Sequence, residues 1–406
     1  MKSLSEQKKN NLIKALLFTV LFMVTFAVVL KESQYEWSDF SRHTADALSI
    51  RKQFADLFTS VSGFQLSYPL WHILVGVTHR INRLIFGNTL GPEYSAALVT
   101  ALINGLIFLL TDKILTAYHL HNSGLIAFGL SFVMPYTIPG WTDEMHYFAQ
   151  SSPVIWHNPT NMIVKLFAIA GFYLIIKYLR KIDKKESISG NDRLTLMVVI
   201  FLSVLAKPSF FQGIVPTLGL YILIRLIRTG AADMREYCRL CACFIPAFLI
   251  ILLQYLISFY MGDGGEGIGI GWMVVARDFY PNPWVHLLLA LFFPVCYMVL
   301  NLKKAAGSLE IRLSLLYVLT TWLEYALLYE NGPRMYDGNF EWALCLAFAA
   351  LWTSASIPFF KDWQDMDLTK TRTKIKNTFL LLTWLLHVVS GLIFFCNLLT
   401  AESLYF

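Results

Sequence analysis

Long apolar runs separated by short polar segments are the dominant pattern of this chain. A helix needs about 20 mostly apolar residues to cross roughly 30 Å of hydrocarbon. Eleven runs approach that length, at residues 12–30, 94–115, 123–141, 160–179, 193–206, 210–228, 239–260, 283–301, 312–329, 341–360 and 377–399. The pattern predicts an all-α polytopic membrane protein with about eleven transmembrane helices.

The composition supports this class of protein. Hydrophobic residues make up 56% of the 406 positions, charged residues only 15%, and the mean hydropathy is +0.54. These values exclude an ordinary soluble domain. We therefore expect one membrane domain over residues 1–406, with a first span at 12–30, a long first outer loop at 31–93 and the remaining spans within 94–399.

The orientation depends on residues 68–87, which are apolar but carry His72, His79, Arg80 and Arg83. A charge in the middle of a bilayer costs about 2.5–3.5 kcal/mol on insertion scales. A helix that lies in the membrane interface keeps such groups solvated. We therefore interpret the segment as an interfacial helix within the first outer loop.

With that interpretation, 23 of the 33 Lys and Arg residues lie on the same side as the N-terminal tail. The positive-inside rule then places the N-terminus in the cytoplasm and the C-terminus outside. We expect a multi-pass protein of a bacterial cytoplasmic membrane. The net charge of +6 is accordingly an orientation signal. We expect a lipid bilayer as partner and no nucleic acid.

The first outer loop contains an acidic stretch with a candidate base. Asp39 and His43 are spaced i, i+4, which puts a carboxylate and an imidazole on one helical face, next to Arg42. Such a pair can accept a proton from a hydroxyl nucleophile. The alternative is a solvated helix start capped by Ser38 or Asp39. Asp46 and Glu36 are the other candidate bases.

The outer loop at 141–162 is rich in side chains that contact sugars and phosphates: Trp156 for stacking, His157, Asn158 and Asn161 for hydrogen bonds. Aromatic anchoring at the membrane interface explains a Trp there equally well. The triplet of Asp143, Glu144 and His146 is weak evidence for a metal because no further ligand is defined. We expect no metal.

Two later outer segments carry basic residues between apolar runs. Lys207 interrupts an apolar hairpin, where it suits a lipid phosphate or extends to the membrane surface. In the loop at 329–342, Arg334 can bind a phosphate with two hydrogen bonds, or pair with Glu330 or Asp337 to stabilise the loop. Its other polar candidates are Tyr336 and Asn339. The glycine-rich segment 262–272 is predicted to be a mobile flap.

The order of these features resembles the GT-C integral membrane glycosyltransferases. The resemblance rests on one span, an outer loop with an acidic D-x-x-x-H motif at Asp39 and His43, a Pro-Leu-aromatic start of an interfacial helix at 69–71, and many later spans with basic inner loops. Relatives use a polyprenyl-phosphate-linked sugar and a carboxylate base from the first loop. The chain departs from several relatives in having Asp39-Phe40 instead of Asp-Glu and Tyr68-Pro69 instead of a double proline.

The resemblance implies an inverting, metal-independent transfer of a sugar from a polyprenyl-phosphate lipid to a glycan, lipid or protein acceptor, without a cofactor. It implies Asp39 and His43 as catalytic residues and Lys207, Arg334 and Arg42 as donor-phosphate ligands. The expected sugar and acceptor contacts are Trp71, His72, Trp156, His157, Asn158, Asn161, Glu330, Tyr336, Asp337 and Asn339. The alternatives are a transporter or flippase for a polar solute or lipid-linked sugar, and a lipid-linked glycan polymerase or ligase.

Overall fold

The computed structural model describes residues 4–36, 38–59, 68–136, 152–154, 156–230, 232–256, 267–279, 282–367 and 369–400. Of these residues, 81% are helical. Within the described ranges, the only strands are β1 (Ile268–Ile270) and β2 (Leu328–Glu330), and a 3-10 helix covers Gly332–Asp337.

The helices follow the apolar runs of the sequence. In chain order they are α1 (Leu4–Glu32), α2 (Asp39–Thr59), α3 (Leu70–Phe86), α4 (Pro92–Ala117), α5 (Ser123–Leu130), α6 (Pro159–Asp183), α7 (Gly190–Ala206), α8 (Ser209–Thr229), α9 (Met234–Ala242), α10 (Ile245–Tyr255), α11 (Ala276–Phe279), α12 (Pro283–Ala290), α13 (Phe292–Leu300), α14 (Leu302–Gly307), α15 (Leu309–Leu327), α16 (Glu341–Gln364) and α17 (Thr371–Thr400).

Six of these helices are long and apolar enough to cross a membrane, and the number rises to eight if each of two bent pairs is one span. The six lie in α1, α4, α6, α8, α16 and α17, and the pairs are α9 with α10 and α12 with α13. The chain is therefore an all-α polytopic membrane protein. The predicted number of eleven spans and the likeness to GT-C enzymes remain predictions.

The predicted span at 123–141 differs from the structure over its described part. Helix α5 ends at Leu130, and its eight residues cover only about 12 Å. Residues 133–136 are not helical, and α17 satisfies part of their main chain: Met134 N donates to His387 O at 3.1 Å and Ser390 Oγ donates to Pro135 O at 2.5 Å. A helix through residue 136 was the wrong prediction.

Gly391 explains why the non-helical segment that follows α5 approaches α17 so closely. A Cβ at this position would lie 1.5 Å from the carbonyl oxygen of Phe132. Only a residue without a side chain leaves room for this main-chain contact.

Helices α2 and α3 pack together on the side that carries the candidate base. Phe40 and Trp71 are fully buried between them, with ring centroids 6.4 Å apart. A Cβ at Gly76 would lie 3.0 Å from the carbonyl oxygen of Ala47, so the two helices cross in close contact there. The opposite side of α3 exposes apolar residues such as Val77. The interfacial position of α3 remains a prediction.

The glycine-rich segment pairs with the loop at 329–342 over part of its length. Strand β1 runs antiparallel to β2, with Gly269 opposite Tyr329. A Cβ at Gly269 would lie 2.4 Å from the Tyr329 ring and 2.7 Å from Asn331 Oδ1. Residues 268–270 of the predicted mobile flap therefore form a strand.

Candidate functional site

Asp39 is held at the meeting point of two helix N-termini. Ser38 caps α2, since its Oγ accepts the hydrogen bond from Ser41 N at 3.1 Å. The cap of α2 is therefore Ser38 and not Asp39. Asn158 caps α6 by accepting from Asn161 N at 2.9 Å, and its Nδ2 donates to Asp39 Oδ2 at 2.6 Å. One amide therefore joins the start of α6 to the half-buried carboxylate of Asp39.

Lys207 lies between α7 and α8 with only 6% of its surface exposed. Its Nζ is 4.5 Å from the ring centroid of Trp342 and 5.9 Å from that of Tyr68. Among the residues that the structure describes, it forms no ion pair. Burial lowers the pKa of Lys207 to about 7, against the opposing effect of the nearby Asp39. An anion beside this ammonium would satisfy its charge.

Tyr68 and His157 lie in the electrostatic field of the same groups. Burial raises the pKa of Tyr68, while the nearby charge of Arg334 lowers it and that of Asp39 raises it. Burial lowers the pKa of His157, with Asp39 opposing and Lys207 reinforcing the shift. Asp39, Lys207 and Arg334 therefore act on one small set of side chains, although they come from three separate parts of the chain.

Arg334 lies in the 3-10 helix with 54% of its side chain exposed. Its Nε is 3.0 Å from Asp337 Oδ2 and 3.6 Å from Glu330 Oε2, so the loop-stabilising pairing is present. Asn339 Nδ2 donates to Glu330 Oε2 at 2.9 Å and orders the loop further. The charge of Arg334 also lowers the pKa of Lys207, so the guanidinium lies within electrostatic range of that ammonium.

Other predicted phosphate and sugar contacts are in different surroundings. Arg42 and Tyr336 are exposed. Trp71 is fully buried, and its Nε1 donates to Thr100 Oγ1 at 3.1 Å. Trp156 is 1% exposed, with its ring 5.5 Å from that of Phe395. The two Trp rings are covered by protein, so we assign them to packing and not to sugar stacking.

His43 and His72 lie side by side, and His43 follows Asp39 by one turn of α2. Nδ1 of His43 is 3.0 Å from Nε2 of His72. Burial lowers the pKa of His43 to about 4, despite the opposing charge of Asp39. Burial, with a smaller contribution from His43, lowers the pKa of His72 to about 3. Both imidazoles are therefore neutral at pH 7.

Asn161 and Glu32 add buried polar groups around the site. Asn161 is fully buried, and neither atom of its side-chain amide has a hydrogen bond within the described ranges. Glu32, the last residue of α1, is also fully buried, and both its carboxylate oxygens lack a hydrogen-bond partner there. Glu32 lies within electrostatic range of Asp39. An unpaired buried carboxylate is costly and is therefore often functional.

Sequence reasoning did not select Tyr68, Trp342 or Glu32. Tyr68 and Trp342 are aromatic residues at the ends of apolar runs, where anchoring in the interface explains them. Glu32 follows the first apolar run directly, and this position was its only signal. The triplet Asp143, Glu144 and His146 lies outside the described residues.

Comparison with known proteins gives no family. No protein-family model and no curated protein matches the chain. The fold class and the site geometry are therefore the basis of the functional argument: a multi-pass α-helical membrane protein in which a carboxylate, a buried ammonium and a guanidinium act on one site.

Proposed function

We propose that the protein is a membrane glycosyltransferase, resembling the GT-C enzymes, that moves a sugar from a polyprenyl-phosphate donor to an acceptor hydroxyl at the outer face of a bacterial cytoplasmic membrane. The observation that carries the proposal is the buried Lys207 ammonium without an ion pair among the described residues, within electrostatic range of the Asp39 carboxylate. A phosphate binds to the cation and a proton moves to the carboxylate, which are the two requirements of this reaction.

The phosphate of the donor lies against Lys207 in this proposal. When the bond from the anomeric carbon to the phosphate oxygen breaks, that oxygen keeps the electron pair and the phosphate gains negative charge. A cation in a water-poor site stabilises such charge in the transition state more strongly than it would in water. The bound phosphate in turn favours the protonated form of Lys207. Arg334 adds a second, more exposed positive charge near the same group.

Asp39 is the base. Asn158 donates to Oδ2, which orients the carboxylate, and we assign Oδ1 to the acceptor hydroxyl. The hydroxyl oxygen attacks the anomeric carbon from the face opposite the phosphate, and its proton passes to Asp39. In-line displacement inverts the anomeric configuration. Tyr68 and His157, which lie near both charges, are candidate contacts for the sugar.

A transporter or flippase is the second candidate, and one observation favours it. Lys165 is an ionisable residue within the candidate span of α6, and its Nζ donates to Pro153 O at 2.7 Å. It lines a small cavity of about 20 Å³ together with Asn104 and Thr111. Ionisable residues inside spans mark ion and substrate paths in transporters. Because Lys165 already has a carbonyl acceptor, packing also accounts for it, and we favour the enzyme.

Native mass spectrometry of the detergent-purified protein tests the proposal. We expect a co-purified lipid with the mass of a polyprenyl phosphate or its glycoside. The lipid should be lost in Lys207→Met. It should be retained in the control Lys113→Met, which removes an exposed lysine of α4 that is not part of the proposed site. Asp39→Asn should keep the lipid, and its glycoside should predominate because transfer is blocked.

Two results would overturn the proposal. One is that only bulk phospholipid co-purifies with every variant. The other is that Asp39→Asn consumes an added prenyl-phosphate sugar as fast as the native chain does. Either result would favour a transporter or flippase, and binding of polar solutes would be the next measurement.

A further inference from the structure

His43, Asp46 and His72 form a cluster of possible metal ligands beside the proposed transfer site. Each offers one ligand atom, and these three atoms lie within 4.8 Å of one another. His43 and Asp46 are one helical turn apart on α2, and His72 is in the first turn of α3. Residues from two packed helices therefore converge on one point.

The distance between the two imidazole nitrogens fits a shared metal ion. Two nitrogens bound at about 2.1 Å, with an angle between 90° and 109° at the metal, are about 3.0–3.4 Å apart. His43 Nδ1 and His72 Nε2 are 3.0 Å apart. A direct hydrogen bond between neutral imidazoles has the same length, so the third ligand and the rigidity of the cluster decide between the two.

The packing around the cluster holds its two helices in register. Ala47 and Gly76 make the close contact between α2 and α3, and they lie one turn beyond His43 and His72 respectively. The ring of Trp71 also packs edge-on against the ring of His43, with ring centroids 6.3 Å apart. The imidazoles are therefore fixed by helix packing before any ligand binds, which lowers the entropic cost of coordination.

Two carboxylates near the cluster suit a divalent cation. Asp46 is half-buried and supplies a carboxylate, and Asp39 adds a second negative charge one turn before His43. Two positive charges oppose a cation: Arg42, whose side chain is exposed, and Lys207, which lies within electrostatic range of His43. Two imidazoles and one carboxylate favour a transition metal over Mg²⁺ or Ca²⁺, which prefer all-oxygen sites.

We infer that His43, Asp46 and His72 bind one divalent transition metal ion, of which Zn²⁺ is the natural probe, and that this ion clamps α2 to α3. The partly exposed position of His43 and Asp46 leaves room for water to complete the coordination. The ion would hold the first turn of α2, and with it Asp39, against α3. This departs from the metal-free site expected from the sequence. It does not depend on the glycosyltransferase proposal, since it concerns binding alone.

The test uses the full chain without a polyhistidine tag, stripped with a chelator and then dialysed against Co²⁺ or Zn²⁺. We expect one equivalent of bound metal by elemental mass spectrometry, a Co²⁺ d–d absorption band, and a higher Tm with Zn²⁺ than without it. Asp46→Asn and His72→Asn should each lower the bound metal at least tenfold. His79→Asn, two turns further along α3, is the matched control and should bind like the native chain.

Asp46→Asn keeps the shape of the side chain, so it remains informative if His72→Asn fails to fold. Less than 0.1 equivalent of metal on the native chain would overturn the inference, and so would equal binding by Asp46→Asn and His79→Asn. A metal-independent Tm would overturn the clamp specifically. These readouts separate the metal site from the proposed transfer, because none of them uses a sugar donor.

Discussion

The ammonium group of Lys207 lies 4.5 Å from the ring centroid of Trp342. A desolvated cation–π contact is worth about 2 kcal/mol, which is less than the cost of burying an unpaired ammonium. The depressed pKa of Lys207, about 7, shows the same imbalance. The fold therefore keeps a destabilising charge at the position where the proposed donor phosphate binds.

Replacing Lys207 with Met should stabilise the unliganded protein in a pH-dependent way. Burial lowers the pKa of Lys207 in the folded state to about 7, from the ordinary lysine value of 10.5. Below pH 7 both folded and unfolded states are protonated, so the burial cost is full, on the order of 5 kcal/mol. Between pH 7 and 10.5 the folded state is neutral first, and the cost declines. The Tm of Lys207→Met should exceed that of the native chain at pH 6, and the two should converge near pH 10.

Intrinsic fluorescence during heating in detergent measures this difference, and lipid-free protein is required because a bound phosphate would hide it. Lys113→Met is the control, since an exposed lysine has no burial cost to lose. A lower Tm for Lys207→Met at pH 6, or a difference that does not change with pH, would contradict the assignment.

The role of Asn158 can be divided by two substitutions. Asn158→Ser keeps a side-chain oxygen that caps α6 but loses the amide that donates to Asp39, whereas Asn158→Ala loses both. We expect Ala to lower the stability by about 1 kcal/mol more than Ser does. Turnover of a prenyl-phosphate sugar should fall similarly in both, about tenfold, because each leaves Asp39 unoriented. Native turnover in Asn158→Ser would show that the contact with Asp39 has no catalytic role.

Arg334 and Arg42 were both expected to bind the donor phosphate, and the structure separates them. Arg334 lies within electrostatic range of Lys207, while Arg42 is exposed beside His43. Arg334→Ala should weaken binding of a short-chain prenyl phosphate about three- to tenfold, and the loss should shrink at high salt because the side chain is half exposed. Arg42→Ala should change the affinity less than twofold. Isothermal titration of both variants measures the contrast, and equal losses would contradict it.

Topology made part of the site predictable. Asp39, Lys207 and Arg334 were placed on one side of the membrane because the basic residues of the other loops fixed the orientation. That argument does not use three-dimensional contacts, yet the three charges act on common neighbours in the structure. Side-chain burial was not predictable in the same way. The sequence around a Trp in a loop is the same whether the ring is open to a sugar or covered by protein. In the structure, Phe395 packs against the ring of Trp156 and covers it.

The approach of His72 to His43 and Asp46, and the early end of α5, were not predicted for a different reason. His43 and Asp46 are close in sequence, but His72 reaches them only through the crossing of α2 and α3. The close approach of Gly76 to Ala47 is one contact of that crossing. The run at 123–141 is apolar enough for a helix, but hydrogen bonds from Met134 to α17 replace the helical ones. Tertiary contacts override local propensity at both places.

Gly269 should control the position of the loop at 329–342. A Cβ there would meet the Tyr329 ring at 2.4 Å and Asn331 Oδ1 at 2.7 Å. We expect Gly269→Ala to separate β1 from β2 and thereby to displace Glu330, which pairs with Ile268 in the sheet. We expect loss of hydrogen-exchange protection in residues 267–271 and 328–331, together with a weakened prenyl phosphate affinity, because Glu330 contacts Arg334.

Gly307→Ala is the matched control for this substitution. No atom lies within 4 Å of a Cβ at Gly307, which ends α14, so Ala should be tolerated there. Exchange in the two strand segments should then equal that of the native chain. If Gly269→Ala also leaves both segments protected, the Tyr329 ring moves aside without cost and the pairing of β1 with β2 does not depend on this glycine. If protection is lost but affinity is kept, Arg334 binds the phosphate independently of the sheet, and its position has to come from the 3-10 helix alone.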